Sequence, residues 1–195
     1  IYRPFDDHTV AFCHEGPHDR VDARMWLIDE DGANMRKVKD HAEGESCTHE
    51  FWVPDGSALI YVSYHKARAD REICRFDPVT GHNEVLMTMP ACSHLMSNQN
   101  GTLLVGDGSG TPVDVQDTKG YTIDNDPMLW LFDVATRQHR PLAAHNSSWR
   151  VLDGDRQVTH PHPSFTPDDK QVLFTTDYEG QPALYLVTIK DNFFS

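Results

Sequence analysis

Three segments of this chain align on one another without gaps. They are His49-Glu50-Phe51-Trp52-Val53-Pro54-Asp55-Gly56, His94-Leu95-Met96-Ser97-Asn98-Gln99-Asn100-Gly101 and His162-Pro163-Ser164-Phe165-Thr166-Pro167-Asp168-Asp169. Each runs from a histidine to a turn-forming Asp or Asn. Each turn feeds an apolar run: Ala58–Tyr64, Thr102–Val105 and Gln171–Thr176. A second motif follows in every unit, as Met25–Asp29, Ile73–Asp77, Leu129–Asp133 and Leu184–Thr188. Its copies recur every 45–55 residues or so, about the length of a four-stranded propeller blade. The apolar runs are short and bounded by Asp, Gly, Pro and Asn, with no long helical periodicity. The expected fold is therefore all-β, a β-propeller of four-stranded blades, with residues 1–195 part of a single domain. The added length of the third unit lies in Gly106–Asp126, a Gly/Asp/Thr-rich insertion.

The two ends read as cut within blades. Pro4–Asp7 matches Pro167–Asp169, and Thr9–Phe12 matches the strand that follows, so the first unit is expected to lack its innermost strand. Ala183–Ile189 reads as a third strand with little after it to make a fourth. The chain is thus expected to be about four blades of a larger ring, an independent four-bladed ring being the alternative.

Charge weighs against one class of partner. Lys and Arg number 17 and Asp and Glu 30, giving a net charge of −13. A general nucleic-acid binder needs a basic face, which this balance argues against. A local basic pocket for a small anion remains compatible with it. No apolar run reaches the roughly 18–20 residues of a membrane span, and Ile1–His8 is too polar for a signal peptide. The four cysteines, Cys13, Cys47, Cys74 and Cys92, form no CxxC pair. Reduced thiols in a cytoplasmic protein are the expectation.

The repeat places His49, His94 and His162 at equivalent positions on three blades. A strand before a Pro-Asp-Gly-type turn is usually the innermost, beside the central channel, so the three are expected at one channel mouth. Cys47, Cys92 and His160 stand two residues earlier. By the period of a strand each should share a face with its partner. A ring of His and Cys there suits metal binding or acid–base chemistry; polar residues lining a wet channel are the plainer reading. His160-Pro161-His162 is the sharpest local signal, because an i, i+2 pair on a strand can chelate one ion. Gln157 can add an oxygen. Such a set suits Mn²⁺ and would equally hold Zn²⁺.

Cys13–Trp26 reads as a loop, carried by Gly16 and Pro17, that returns into the strand Arg24–Ile28, and Arg24 can present its fork to a carboxylate. An ion pair with Asp22 or Asp19 is the competing role. His14 and His18, spaced i, i+4, lie in a Gly-Pro loop and make a weak metal pair. Neither a P-loop nor a GxGxxG is present. Gly106-Asp107-Gly108-Ser109-Gly110 misses the nucleophile elbow at Asp107.

At these residues the sequence resembles the oligogalacturonate lyases. The matching stretches are Cys13–Asp29, Glu45–Gly56, Cys92–Asn98 and Gln157–Asp169. The resemblance implies a cytoplasmic, pectin-degrading enzyme built as a seven-bladed propeller of about twice this length. This chain would be its C-terminal half, with the N-terminal half of the same propeller as partner. It further implies β-elimination on short oligogalacturonides with Mn²⁺ as cofactor, other divalent ions being possible. His94, Gln157, His160 and His162 match the metal ligands, His49 the catalytic base, and Arg24 an arginine at the catalytic site. Two other readings stay open: a non-catalytic propeller that binds a protein partner at its channel mouth, and a zinc hydrolase using the same histidines. Nucleic acid and membrane are not expected partners.

Overall fold

Every regular element among the described residues is a β-strand. The computed structural model describes residues 1–6, 8–16, 21–65, 71–90, 92, 94–108, 127–148 and 159–195, and residues 151–152 and 156–157 by backbone alone. Two compact units result, Ile1–Met89 and Pro90–Ser195. No helix is long and apolar enough to cross a membrane among these residues.

The first unit holds two antiparallel meanders. Strands β1 (Thr9–Cys13), β2 (Met25–Asp29) and β3 (Arg36–Lys37) form one, and β4 (Glu45–Trp52), β5 (Leu59–His65), β6 (Arg71–Phe76) and β7 (Asn83–Met89) the other. Leu59–Ser63 of β5 is buried throughout. That is why Ala58–Tyr64 reads as a continuous apolar run rather than an alternating one. Leu27, Leu59, Tyr61, Cys74 and Phe76 share one buried cluster. The first meander departs from expectation at its inner edge. Ala11 N–H donates to Ile1 O at 2.8 Å, Arg3 N–H to Thr9 O at 2.9 Å, and Tyr2 bridges Val10. Residues 1–3 thus pair along β1, at the place where the sequence leads one to expect no innermost strand.

The second unit repeats the pattern. β8 (Met96–Ser97), β9 (Leu103–Asp107), β10 (Met128–Asp133) and β11 (Gln138–Ala144) make a four-stranded meander. β12 (Val151–Leu152) pairs with β13 (Arg156–Gln157). β14 (Ser164–Phe165), β15 (Gln171–Thr176) and β16 (Ala183–Thr188) form a three-stranded sheet in which β16 is the last strand, as expected. Residues 109–126 of the insertion lie outside the described residues.

Ladder register bears out the gapless alignment. Phe51 pairs with Ile60, Met96 with Val105 and Ser164 with Leu173. Each pair falls two residues after the repeat histidine. Turn chemistry sets this register. Asp55 accepts from Ser57 N–H, Asn100 from Thr102 N–H and Asp168 from Lys170 N–H, each two residues on. The next residue is left-handed in all three, with φ of 71° at Gly56, 67° at Gly101 and 58° at Asp169. A Cβ on Gly56 would stand 2.4 Å from Pro4 O, so glycine is required there by space as well as by φ.

The second turn follows suit in the two four-stranded meanders. Asp77 accepts from the N–H groups of Val79 and Thr80, and Asp133 from those of Ala135 and Thr136. Gly81 closes the first with φ 73°, but Arg137 closes the second with φ 57°. A side chain in that region costs about 1–2 kcal/mol, part of which glycine gives back as backbone entropy. Arg137→Gly should therefore stabilise the protein by about 0.5–1 kcal/mol in urea unfolding. An unchanged or lower midpoint would contradict the turn assignment.

Candidate metal centre

Three imidazoles of the second unit meet. One ring nitrogen from each of His94, His160 and His162 lies within 4.8 Å of the other two. His160 Nδ1 stands 3.3 Å from His162 Nε2. The His94 ring stacks on His162 at 3.7 Å between centroids and lies 4.6 Å from His160. His94 precedes β8 by two residues and His162 precedes β14 by two. The repeat thus delivers equivalent side chains from two sheets to one point.

The expected i, i+2 strand pair is built differently. His160-Pro161-His162 lies ahead of β14, outside any strand, and His162 is left-handed at φ 43°. The backbone turn, rather than strand period, brings the two rings together. Histidine tolerates this region better than most residues, yet at some cost.

Local electrostatics favour neutral imidazoles. Burial, and then the nearness of His94, holds His160 down at about 4. The same two causes lower His162. Neutral nitrogens are what a cation needs. His94 is oriented by a carboxylate: Asp107, the last residue of β9, accepts from His94 N–H at 2.8 Å and faces His94 Nδ1 at 2.8 Å. Burial would raise the Asp107 carboxyl, but the hydrogen bonds from His94 and His162 and the His94 charge outweigh it and lower it. Three imidazoles with one supporting carboxylate fit a divalent ion such as Mn²⁺ or Zn²⁺.

Gln157 pairs by its backbone with Val151 in the β12–β13 hairpin, and its side chain lies outside the described residues. His18 lies outside them too.

The expected cysteine partners are core residues instead. Cys47 is wholly buried beside Tyr61 and Cys74, and burial pushes its thiol up to about 12. A bulge between Thr48 and Phe51 interrupts β4, and His49 within it is left-handed at φ 55°. The strand period that would place Cys47 and His49 on one face is broken there. Cys92 is also fully buried, and all four cysteines are free thiols.

Arg24 and His49 belong to the first unit. Arg24 makes a two-pronged contact with Glu15, at 3.1 and 3.3 Å, rather than pairing with Asp22. Asp19 lies outside the described residues. Glu15 is largely exposed, and Arg24 Nε is buried without a partner among the described residues. Arg24 lines one small pocket with His14, Gly16, Val21 and His41. Cys13 donates to Glu50, the residue after His49. Burial and that contact push the Cys13 thiol up to about 12.

Sequence reasoning passed over Asp107. The signal was available: in the aligned repeat its position holds Val62 in one sheet and Thr175 in another. A carboxylate at a buried strand position needs a reason.

Comparison with known proteins agrees with this geometry. Residues 1–193 match the family model described as oligogalacturonate lyase. An oligogalacturonide lyase from Pectobacterium atrosepticum is 69% identical over 192 residues, 98% of this chain and 50% of that protein. An oligogalacturonate lyase from Dickeya dadantii is 68% identical over the same 98% and 50%. The chain spans about half the length of the curated relatives it matches. A solved oligogalacturonate lyase in complex with manganese superposes with TM-score 0.89 at 62% identity, over all of this chain and 49% of its own. TolB from Acinetobacter baumannii, 19% identical, superposes with TM-score 0.64 over 94% of this chain and 40% of its own, and shows the fold alone. The all-β chain of meander sheets is thus of the propeller class.

Proposed function

The chain belongs to the oligogalacturonate lyase family, and from that premise we propose that it is the metal-bearing half of an enzyme cleaving short oligogalacturonides by β-elimination. The observation that carries the proposal is the convergence of His94, His160 and His162 at one point, supported by a relative solved with manganese. In this reading residues 1–195 are part of one propeller domain, the C-terminal half of a seven-bladed ring. The N-terminal blades would complete the ring and the substrate surface. Four free thiols support a cytoplasmic setting.

His94, His160 and His162 would hold the ion, with Gln157 as the fourth protein ligand. Bound there, a divalent ion supplies Lewis acidity that neutralises the uronate carboxylate and makes the C5 proton removable. His49 takes that proton, as an imidazole is well suited to do near neutral pH. The C5–H electron pair becomes the C4–C5 double bond, the C4–oxygen bond breaks, and the departing oxygen takes up a proton. Arg24 holds a carboxylate where charge develops, exchanging its exposed partner Glu15 for substrate.

Product identity tests this reading. Digalacturonate treated with the protein should yield one galacturonate and one product lighter by a water, seen by mass spectrometry. Two galacturonates alone would mean hydrolysis, and unchanged substrate would mean a binding protein.

A further inference from the structure

Asp107 is the one carboxylate on a buried strand position of β9, with no exposed surface. Its two oxygens take three contacts. Oδ1 accepts from His94 N–H at 2.8 Å, while Oδ2 faces His94 Nδ1 at 2.8 Å and accepts from His162 N–H at 3.2 Å. These partners stand 13 and 55 residues away in sequence, on segments leading into two different strands. One buried side chain thus fastens two of the three converging histidines, one by its ring and both by their backbones.

We propose that Asp107 is the positioning residue of the metal centre, clasping His94 with its proton on Nδ1 and fixing the left-handed turn of His162. The inference rests on the metal reading above. With Nδ1–H given to Asp107, Nε2 is the His94 nitrogen left to ligate, and the ring is held facing His160 and His162. The N–H of His162 is tied at the residue whose φ of 43° brings its ring back over His94. A carboxylate behind a ligating imidazole also raises its basicity. The centre is therefore built before any ion arrives, and ordering two ligand segments is not charged against binding.

The test measures Mn²⁺ affinity by electron paramagnetic resonance of the free ion, with no substrate present. Asp107→Asn should bind Mn²⁺ about 10–100-fold more weakly than wild type. Leu104→Ala, a core deletion on the same strand, should lower the melting temperature yet keep the affinity within about twofold. Nitrogen-15 spectra of the metal-free wild type provide a second readout that needs no variant: His94 should be protonated on Nδ1. Wild-type affinity in Asp107→Asn, or an Nε2-protonated His94, overturns the assignment. Wild-type protein that takes up no divalent ion defeats the metal reading itself, and is told apart by that.

Discussion

Replacing His49 by alanine is expected to cut turnover of digalacturonate by at least about 10²-fold while Mn²⁺ affinity stays within about twofold of wild type. The expectation follows from the division of labour within one repeat position. His94 and His162 occupy it in the second unit and join the imidazole cluster. His49 occupies it in the first, where the proposed function assigns it the proton transfer. A positioned base typically contributes about 10²–10⁴-fold, so a loss of that order is predicted. Alanine has a second effect, because His49 is left-handed at φ 55° and a non-glycine residue there carries strain. His49→Asn separates the two: asparagine tolerates that backbone and has no basic nitrogen. It should fold like wild type and be as inactive as the alanine variant. Full activity in either variant would remove His49 from the chemistry.

The blade repeat was legible because its turns are written in residues with local jobs. Asp55, Asn100 and Asp168 each accept from a backbone N–H two residues on. Such contacts need no tertiary knowledge, so aligning the turns also aligned the ladders, and the ladders aligned the histidines. Strand period was a poorer guide beside them. It put Cys47 with His49, but the β4 bulge and the left-handed His49 turn one into the core and leave the other half-exposed. A bulge without glycine leaves little trace in sequence. Arg24 was found as a carboxylate-binding candidate, yet its partner is Glu15 across a loop rather than the nearer Asp22. Asp107 went unread because its purpose lies with backbone and ring groups far along the chain. Only the mismatch with Val62 and Thr175 in the aligned repeat hinted at it.

Loss of the ion should be as damaging as loss of the base. Three imidazoles, of which His160 and His162 are held down by burial and by the nearness of His94, form a donor set with no negative charge of its own apart from Asp107 behind it. Without a cation the uronate carboxylate would face the reaction's growing charge with Arg24 alone. A loss on the order of 10³-fold is expected, about 4 kcal/mol of barrier. The double variant His160→Ala, His162→Ala should show the same loss, and added Mn²⁺ should not restore it.

The central claim is metal-dependent elimination, and one trace tests it. Protein stripped with chelator and given digalacturonate should leave the ultraviolet absorbance of unsaturated uronates flat; adding Mn²⁺ in excess of the chelator should start a steady rise. A trace that stays flat with Mn²⁺ shown to be bound, or one that rises equally before the metal is added, would contradict the account.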